Sequence, residues 1–212
     1  MSLLINCPLG DAIAAIPIGA CPESIGQIQK VVFQRVFSAA GVKNKLVIAS
    51  EDPKLLASWT ALMAAADGTK AVPSPFIQAP VFEAGAAREF GGGNETLGGV
   101  PITIGREPTT FTGMILQTSQ DTIKEMKKYQ GEEVGVFLID EYGRLIGLAD
   151  DNTSATEFFP IPLSSLFIGD KVFGGLEGVD SNVISWRFAP NYSDEIYVVT
   201  PTDFNALNLV AP

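Results

Sequence analysis

The chain contains no histidine and only two cysteines in 212 residues. Without imidazole, the Ser-His-Asp and Cys-His arrangements of nucleophilic catalysis are excluded, as are most zinc sites and a histidine pH switch. Cys7 and Cys21 each precede a proline, and a bridge between them would close a short loop. Nothing near Met1 marks export, because no basic residue precedes the short apolar run Leu3-Leu-Ile5. The expectation is two free, buried thiols in a reducing compartment. No apolar run reaches the roughly 18 residues of a membrane-crossing helix, so no membrane partner is expected.

Positive charge is also scarce. Lysine and arginine total 14 against 24 aspartates and glutamates, a formal charge of -10. Such acidity argues against nucleic acid as a direct ligand. Hydrophobic residues nevertheless make up 46% of the chain. With no membrane segment to absorb them, the excess must go into a core or into contacts between subunits.

The central pattern lies between Phe111 and Asp150. Phe111–Gln117 reads as a strand. Ser119 or Thr118 can cap a helix over 119–130, along which Ile123, Met126 and Gln130 form a narrow apolar stripe. Asp121 in the first turn and Lys127 and Lys128 in the last complement the helix dipole. Gly131 is placed to end the helix in a left-handed conformation. Glu133–Ile139 and Arg144–Ala149 then read as strands joined by the turn Asp140-Glu-Tyr-Gly143.

Elsewhere, Lys30–Phe37 and Leu46–Ser50 read as strands. Asp52-Pro53 signals a helix start, with a helix over 53–66 presenting Leu55, Leu56, Trp59, Leu62 and Met63. Phe158–Leu163 reads as an edge strand or connector, since Pro160 and Pro162 interrupt it. Asn182–Ala189 and Glu195–Thr200 read as a further hairpin. The fold class expected is α+β: mainly antiparallel, sandwich-like or barrel-like sheets with about two packed helices and long extended arms. One structural domain is expected over residues 1–212. It would carry an N-terminal arm near 1–22, a Gly/Pro-rich loop near 71–108 and a C-terminal arm near 201–212. Phe76, Phe82, Phe90 and Leu97 are the candidate anchors of that loop on a neighbouring subunit.

Reaction chemistry is hard to find. Gly91-Gly-Gly93 and Gly98-Gly99 are followed by Val100-Pro101 rather than the Lys and Ser/Thr of a phosphate loop. The acidic pairs Glu132-Glu133, Asp140-Glu141 and Asp150-Asp151 could serve as acid and base in glycoside hydrolysis or bind calcium. All three sit at turns or element ends, where solvated charge is ordinary. Repeated around a ring, the same carboxylates would create a negative surface. No enzyme activity, metal or cofactor is expected.

From residue 110 onward, the helix between strands, the hairpin at Asp140–Gly143, the Gly-rich loop and the acidic balance together resemble a phage tail tube protein. The resemblance covers about half of the chain and rests on no specific residue motif. It implies a β-sandwich with a packed helix, self-association into stacked hexameric rings, and residence in the virion with other virion proteins as partners. It also implies DNA only as a passenger that does not stick to an acidic lumen. Two alternatives stay open: a capsid decoration or head–tail connector protein, and an acidic glycan-active enzyme using a carboxylate pair.

Overall fold

Alternation sets the first strand, β1 (Ile28–Arg35), in which Val31 and Phe33 face one way and Val32 and Gln34 the other. The computed structural model describes residues 15–16, 24–151, 154–176 and 178–210. Most of the expected N-terminal arm, with Cys7 and Cys21, lies outside them. After β1 come β2 (Phe37–Ala39), β3 (Val42–Lys43), β4 (Leu46–Val47) and helix α1 (Leu56–Ala64). Then follow β5 (Ala71–Pro73), β6 (Gln78–Glu83), β7 (Ala87–Phe90), β8 (Ile102–Arg106) and β9 (Thr109–Leu116). Helix α2 (Gln120–Lys127) leads into β10 (Val134–Asp140), β11 (Leu145–Ala149), β12 (Glu157–Phe159) and β13 (Ile161–Ile168). The last strands are β14 (Ser181–Phe188) and β15 (Ile196–Val199).

The chain divides into two compact units. One comprises Met1–Ile25 and Ala86–Glu107, the other Gly26–Gly85 and Pro108–Pro212. In the first, β7 and β8 pair as an antiparallel hairpin, with Phe90 opposite Ile102 and Glu89 opposite Thr103.

The second unit is α+β and mostly antiparallel sheet, as its sequence pattern implies. Its strands run in the order β4-β12-β11-β10-β13-β14-β9-β6, with β1 joined to β10 and β5, and β15 joined to β11. Strand β10 is the hub. It pairs along its length with β1, at Leu138 and Ile139 with β11, and at Gly135 and Val136 with β13. Strand β13 then continues past Pro162 to pair with β14, which brings a second group of strands over the first.

Two apolar clusters follow from this layering. Val31 and Phe33 of β1 and Val136 and Leu138 of β10 pack with Phe111, Trp186, Phe188 and the α2 residues Ile123 and Met126. On the other face, Val32, Phe137 and Ile139 pack with Trp59 and Met63 of α1, Phe158, Ala206 and Leu209. The alternate residues of β10 therefore reach different cores, and all seven of its residues are buried. Aromatic contacts anchor both: Phe111 stacks on Trp186 at 4.0 Å, and Trp59 meets Phe137 edge-on at 5.1 Å.

Several local expectations hold. Ser119 caps α2 by accepting from the Thr122 amide at 3.2 Å. Gly131 adopts a φ of +88° after the helix, where other residues would be strained. Gly143 closes the β10–β11 turn at φ +76°, and an added Cβ there would meet Asn205 Oδ1 at 2.3 Å.

Others need correction. Helix α2 ends at Lys127 rather than at residue 130, with Ile123 and Met126 its buried residues; in the turn that follows, Tyr129 packs against the core and Gln130 does not belong to the helix. Helix α1 starts at Leu56, not at residue 53. Asp52 forms a local turn by accepting from the Lys54 amide, and the Leu56 amide is bound by Asp203 Oδ1 at 2.9 Å. Leu55 and Leu56 are consequently exposed while Trp59 and Met63 are buried.

The stretch 71–108, read as a loop, contains β5, β6, β7 and β8. Proline obscures the strands without preventing them: among the described residues Pro73 ends a strand paired on one side, to β1, and Pro80 sits at an irregularity of β6, which is paired on one side, to β9. The expected hairpin of β14 with β15 does not form. Strand β14 lies between β13 and β9, and β15 crosses to β11 after Asn191 takes a left-handed conformation. Nor does the segment from 201 extend as an arm. Ala206 and Leu209 are buried in the core, and Lys30 Nζ donates to the carbonyls of Leu207 and Leu209. Burial lowers the pKa of Lys30.

Candidate functional site

The four expected anchor residues belong to different environments. Phe76 is exposed, with Lys30 Nζ 5.2 Å from its ring centroid. Phe82, on β6, is 41% exposed, with its ring meeting Phe111 at 4.9 Å and Phe188 at 6.2 Å at the edge of the core. Leu97 opens a short 3-10 turn, Leu97–Gly99. Phe90 lies on the β7–β8 hairpin and is 54% exposed.

That hairpin holds residues the sequence pattern did not single out. Ile102 is 57% and Ile104 63% exposed, and Val100 is exposed beside them. Phe90 and Ile102 are direct partners across the hairpin. The exposed Arg88 lies two residues before Phe90 on β7, next to an irregularity of the pairing between Arg88 and Glu89. Ile104 sits at the irregularity of the pairing, between Thr103 and Gly105. The signal was the alternation Ile102-Thr-Ile104, hidden between Pro101 and Pro108.

The six candidate acids also divide. Asp140 is not a surface carboxylate: it is fully buried. It accepts from the amides of Tyr142 and Arg144 at 3.1 and 2.9 Å, and from Arg144 Nε and Nη2 at 2.7 and 2.6 Å. It holds the β10–β11 turn together. Its sequence neighbour Glu141 is exposed and accepts from the Gln27 amide at 3.2 Å. Asp150 is exposed, yet it binds the Thr156 hydroxyl and the amides of Thr156 and Glu157. Those bonds, the Thr156 hydroxyl foremost, hold its carboxyl well below the usual carboxylate range. Asp151 accepts from Ser154 through both its amide and its hydroxyl.

Glu132 and Glu133 are the acids that share a cleft. Both are exposed, and Glu132 pairs with Arg35 at 2.8 Å. The cleft has a volume of about 480 Å³ and is lined with Val36, Phe37, Pro162, Leu163 and Leu166 as well. It forms where β1 ends against β10, with the Val36 amide bound to the Glu133 carbonyl at 2.9 Å. Its other wall is β13, whose pairing with β14 is irregular between Ser164 and Phe167. Ser165 there has a φ of +53°.

Comparison with protein-family models, with curated proteins and with solved structures finds no match. The chemistry of the site therefore has to be read from the residues themselves. A second cleft of about 600 Å³ beside α2 is lined by Lys124, Lys127 and Lys171 together with Asp121 and Asp170. Lys127 pairs with Asp170 and depresses its pKa. No group of three or more metal-binding side chains is present among the described residues. No helix among them is long and apolar enough to cross a membrane. What the arrangement offers is contact chemistry: an exposed apolar pair on a hairpin that also carries Arg88, and an apolar cleft bearing two carboxylates.

Proposed function

We propose that this chain is a non-enzymatic structural subunit of a phage particle, of the tail tube kind. Its copies would form stacked rings around a channel that conducts DNA, with other virion proteins at the ends of the stack. One observation carries this reading: the β7–β8 hairpin leaves Phe90, Ile102 and Ile104 more than half exposed. An isolated two-stranded hairpin is marginal in water at best, and a subunit that places this one against a neighbour gains about 25 cal/mol for each Å² of apolar surface covered. The mainly antiparallel sheet with two helices and the net charge of -10 support the same reading. Acidic walls would repel a DNA backbone.

Light scattering coupled to size exclusion, followed by negative-stain microscopy of the purified chain, tests it. Rings or tubes are the expected result. A chain that stays monomeric up to hundreds of micromolar overturns the reading. Retention of duplex DNA at low salt would overturn the passenger role.

A further inference from the structure

Resting on that assembly reading, we propose that the β7–β8 hairpin of one copy docks into the Glu132–Glu133 cleft of a second copy. Phe90 and Ile102 would seat on its apolar wall, and Arg88 would pair with Glu133.

The argument begins with the hairpin. Phe90 and Ile102 are partners across the hairpin and both are more than half exposed, and the exposed Arg88 lies two residues before Phe90 on the same strand. A docking partner must supply apolar surface and, within reach of it, a negative charge for the guanidinium. The cleft beside α2 carries three lysines, Lys124, Lys127 and Lys171, against two carboxylates, Asp121 and Asp170, and Asp170 is already paired with Lys127, so its balance is positive and disfavours Arg88. The cleft beneath β13 has the opposite character. Its apolar wall is made by Phe37, Pro162, Leu163 and Leu166, and Glu132 and Glu133 stand on its rim. Glu132 is already engaged by Arg35. Glu133 makes no side-chain hydrogen bond or ion pair among the described residues, which leaves it for an incoming cation.

The geometry of association follows. Hairpin and cleft are different surfaces, so the contact is heterologous. Contacts of this kind repeat around a rotation axis to close a ring, or run on as a filament. A face-to-face pair that excludes further copies is not what they build.

A charge-exchange experiment on the full chain tests the proposal. Arg88→Glu and Glu133→Arg, each alone, are expected to raise the concentration needed for assembly at least tenfold. The double variant is expected to return to within about threefold of the native chain. Circular dichroism at dilute concentration checks that each variant keeps its fold. A second arm pairs Ile102→Cys with Leu166→Cys in a background carrying Cys7→Ser and Cys21→Ser. Oxidation should give a ladder of multimers on a denaturing gel. If native rings form but the double variant does not recover, or if the crosslink closes within one chain, the docking proposal is overturned and the assembly reading stands. If the native chain does not assemble at all, both fall.

Discussion

Strand β10 and the β7–β8 hairpin solve the same problem in opposite ways. Every residue of Val134–Asp140 is buried, because alternate side chains enter separate cores and strands β1, β11 and β13 take up its edges. All four residues of Ala87–Phe90 are exposed, as are Ile102, Thr103, Ile104 and Arg106 of the facing strand. Both segments are short, seven and four residues. The difference is where their partners come from: the same chain in one case and, on the reading above, another copy in the other. Stability should therefore be concentrated in β10, and association in the hairpin.

The strongest test of that contrast is Phe137→Ala. It removes a ring packed on Trp59 and Phe158 and should cost about 3–5 kcal/mol in urea unfolding. A loss under about 1 kcal/mol would deny β10 its role as hub. Next is Asp140→Asn at the end of the same strand, which removes the buried carboxylate that binds the Arg144 guanidinium and the amides of Tyr142 and Arg144. A loss of about 3 kcal/mol is expected, again read by urea unfolding.

An acid titration gives a smaller effect, outside both regions. The Asp150 pKa is depressed in the folded chain, so its contribution is fully present above the unfolded value of about 3.9 and is lost as pH falls through the folded value. The gap in thermal midpoint between the native chain and Asp150→Asn should be present at pH 5 and narrow on going below pH 4. A gap constant down to pH 2 would show that Asp150 does not anchor its loop. Smallest of all, Ile102→Ser with Ile104→Ser should change the unfolding free energy of the dilute chain by about 0.5 kcal/mol or less while weakening assembly. A large loss of stability from this pair would erase the contrast.

Much of the β10 region was legible in the sequence because its signals are local. Ser119, Gly131 and Gly143 act within a few residues of themselves, and the alternation around them has no proline. The α2 helix and the β10–β11 turn were readable for that reason. The hairpin was not: Pro101 and Pro108 bracket Ile102-Thr-Ile104, and the pairing partner Ala87–Phe90 lies across a run of glycines. The start of α1 was misplaced because the residue that binds its first free amide is Asp203, 147 positions away in sequence. Asp140 reads in sequence as a surface acid, since a turn carboxylate is usually solvated. Its burial depends on the approach of Arg144 and of the Gly26 segment, which no spacing rule reveals. Of the candidate site, the acids Glu132 and Glu133 and the aromatic Phe90 stand out in the sequence. Their apolar complements, Phe37, Leu163 and Leu166, look in sequence like ordinary core residues.

The clasp between Lys30 and the carbonyls of Leu207 and Leu209 has a bearing on biosynthesis. Those groups are separated by up to 179 residues, so on the order of ten to forty seconds of translation at 5–20 residues per second separates the donor from its acceptors. During that interval the β1 ammonium cannot be sequestered, and the Leu56 amide waits similarly for Asp203. Until then β1 and α1 lack these two contacts. Both contacts close only once the residues near 203–209 have been made, which places the ends of β1 and α1 among the late-fixed parts of the fold.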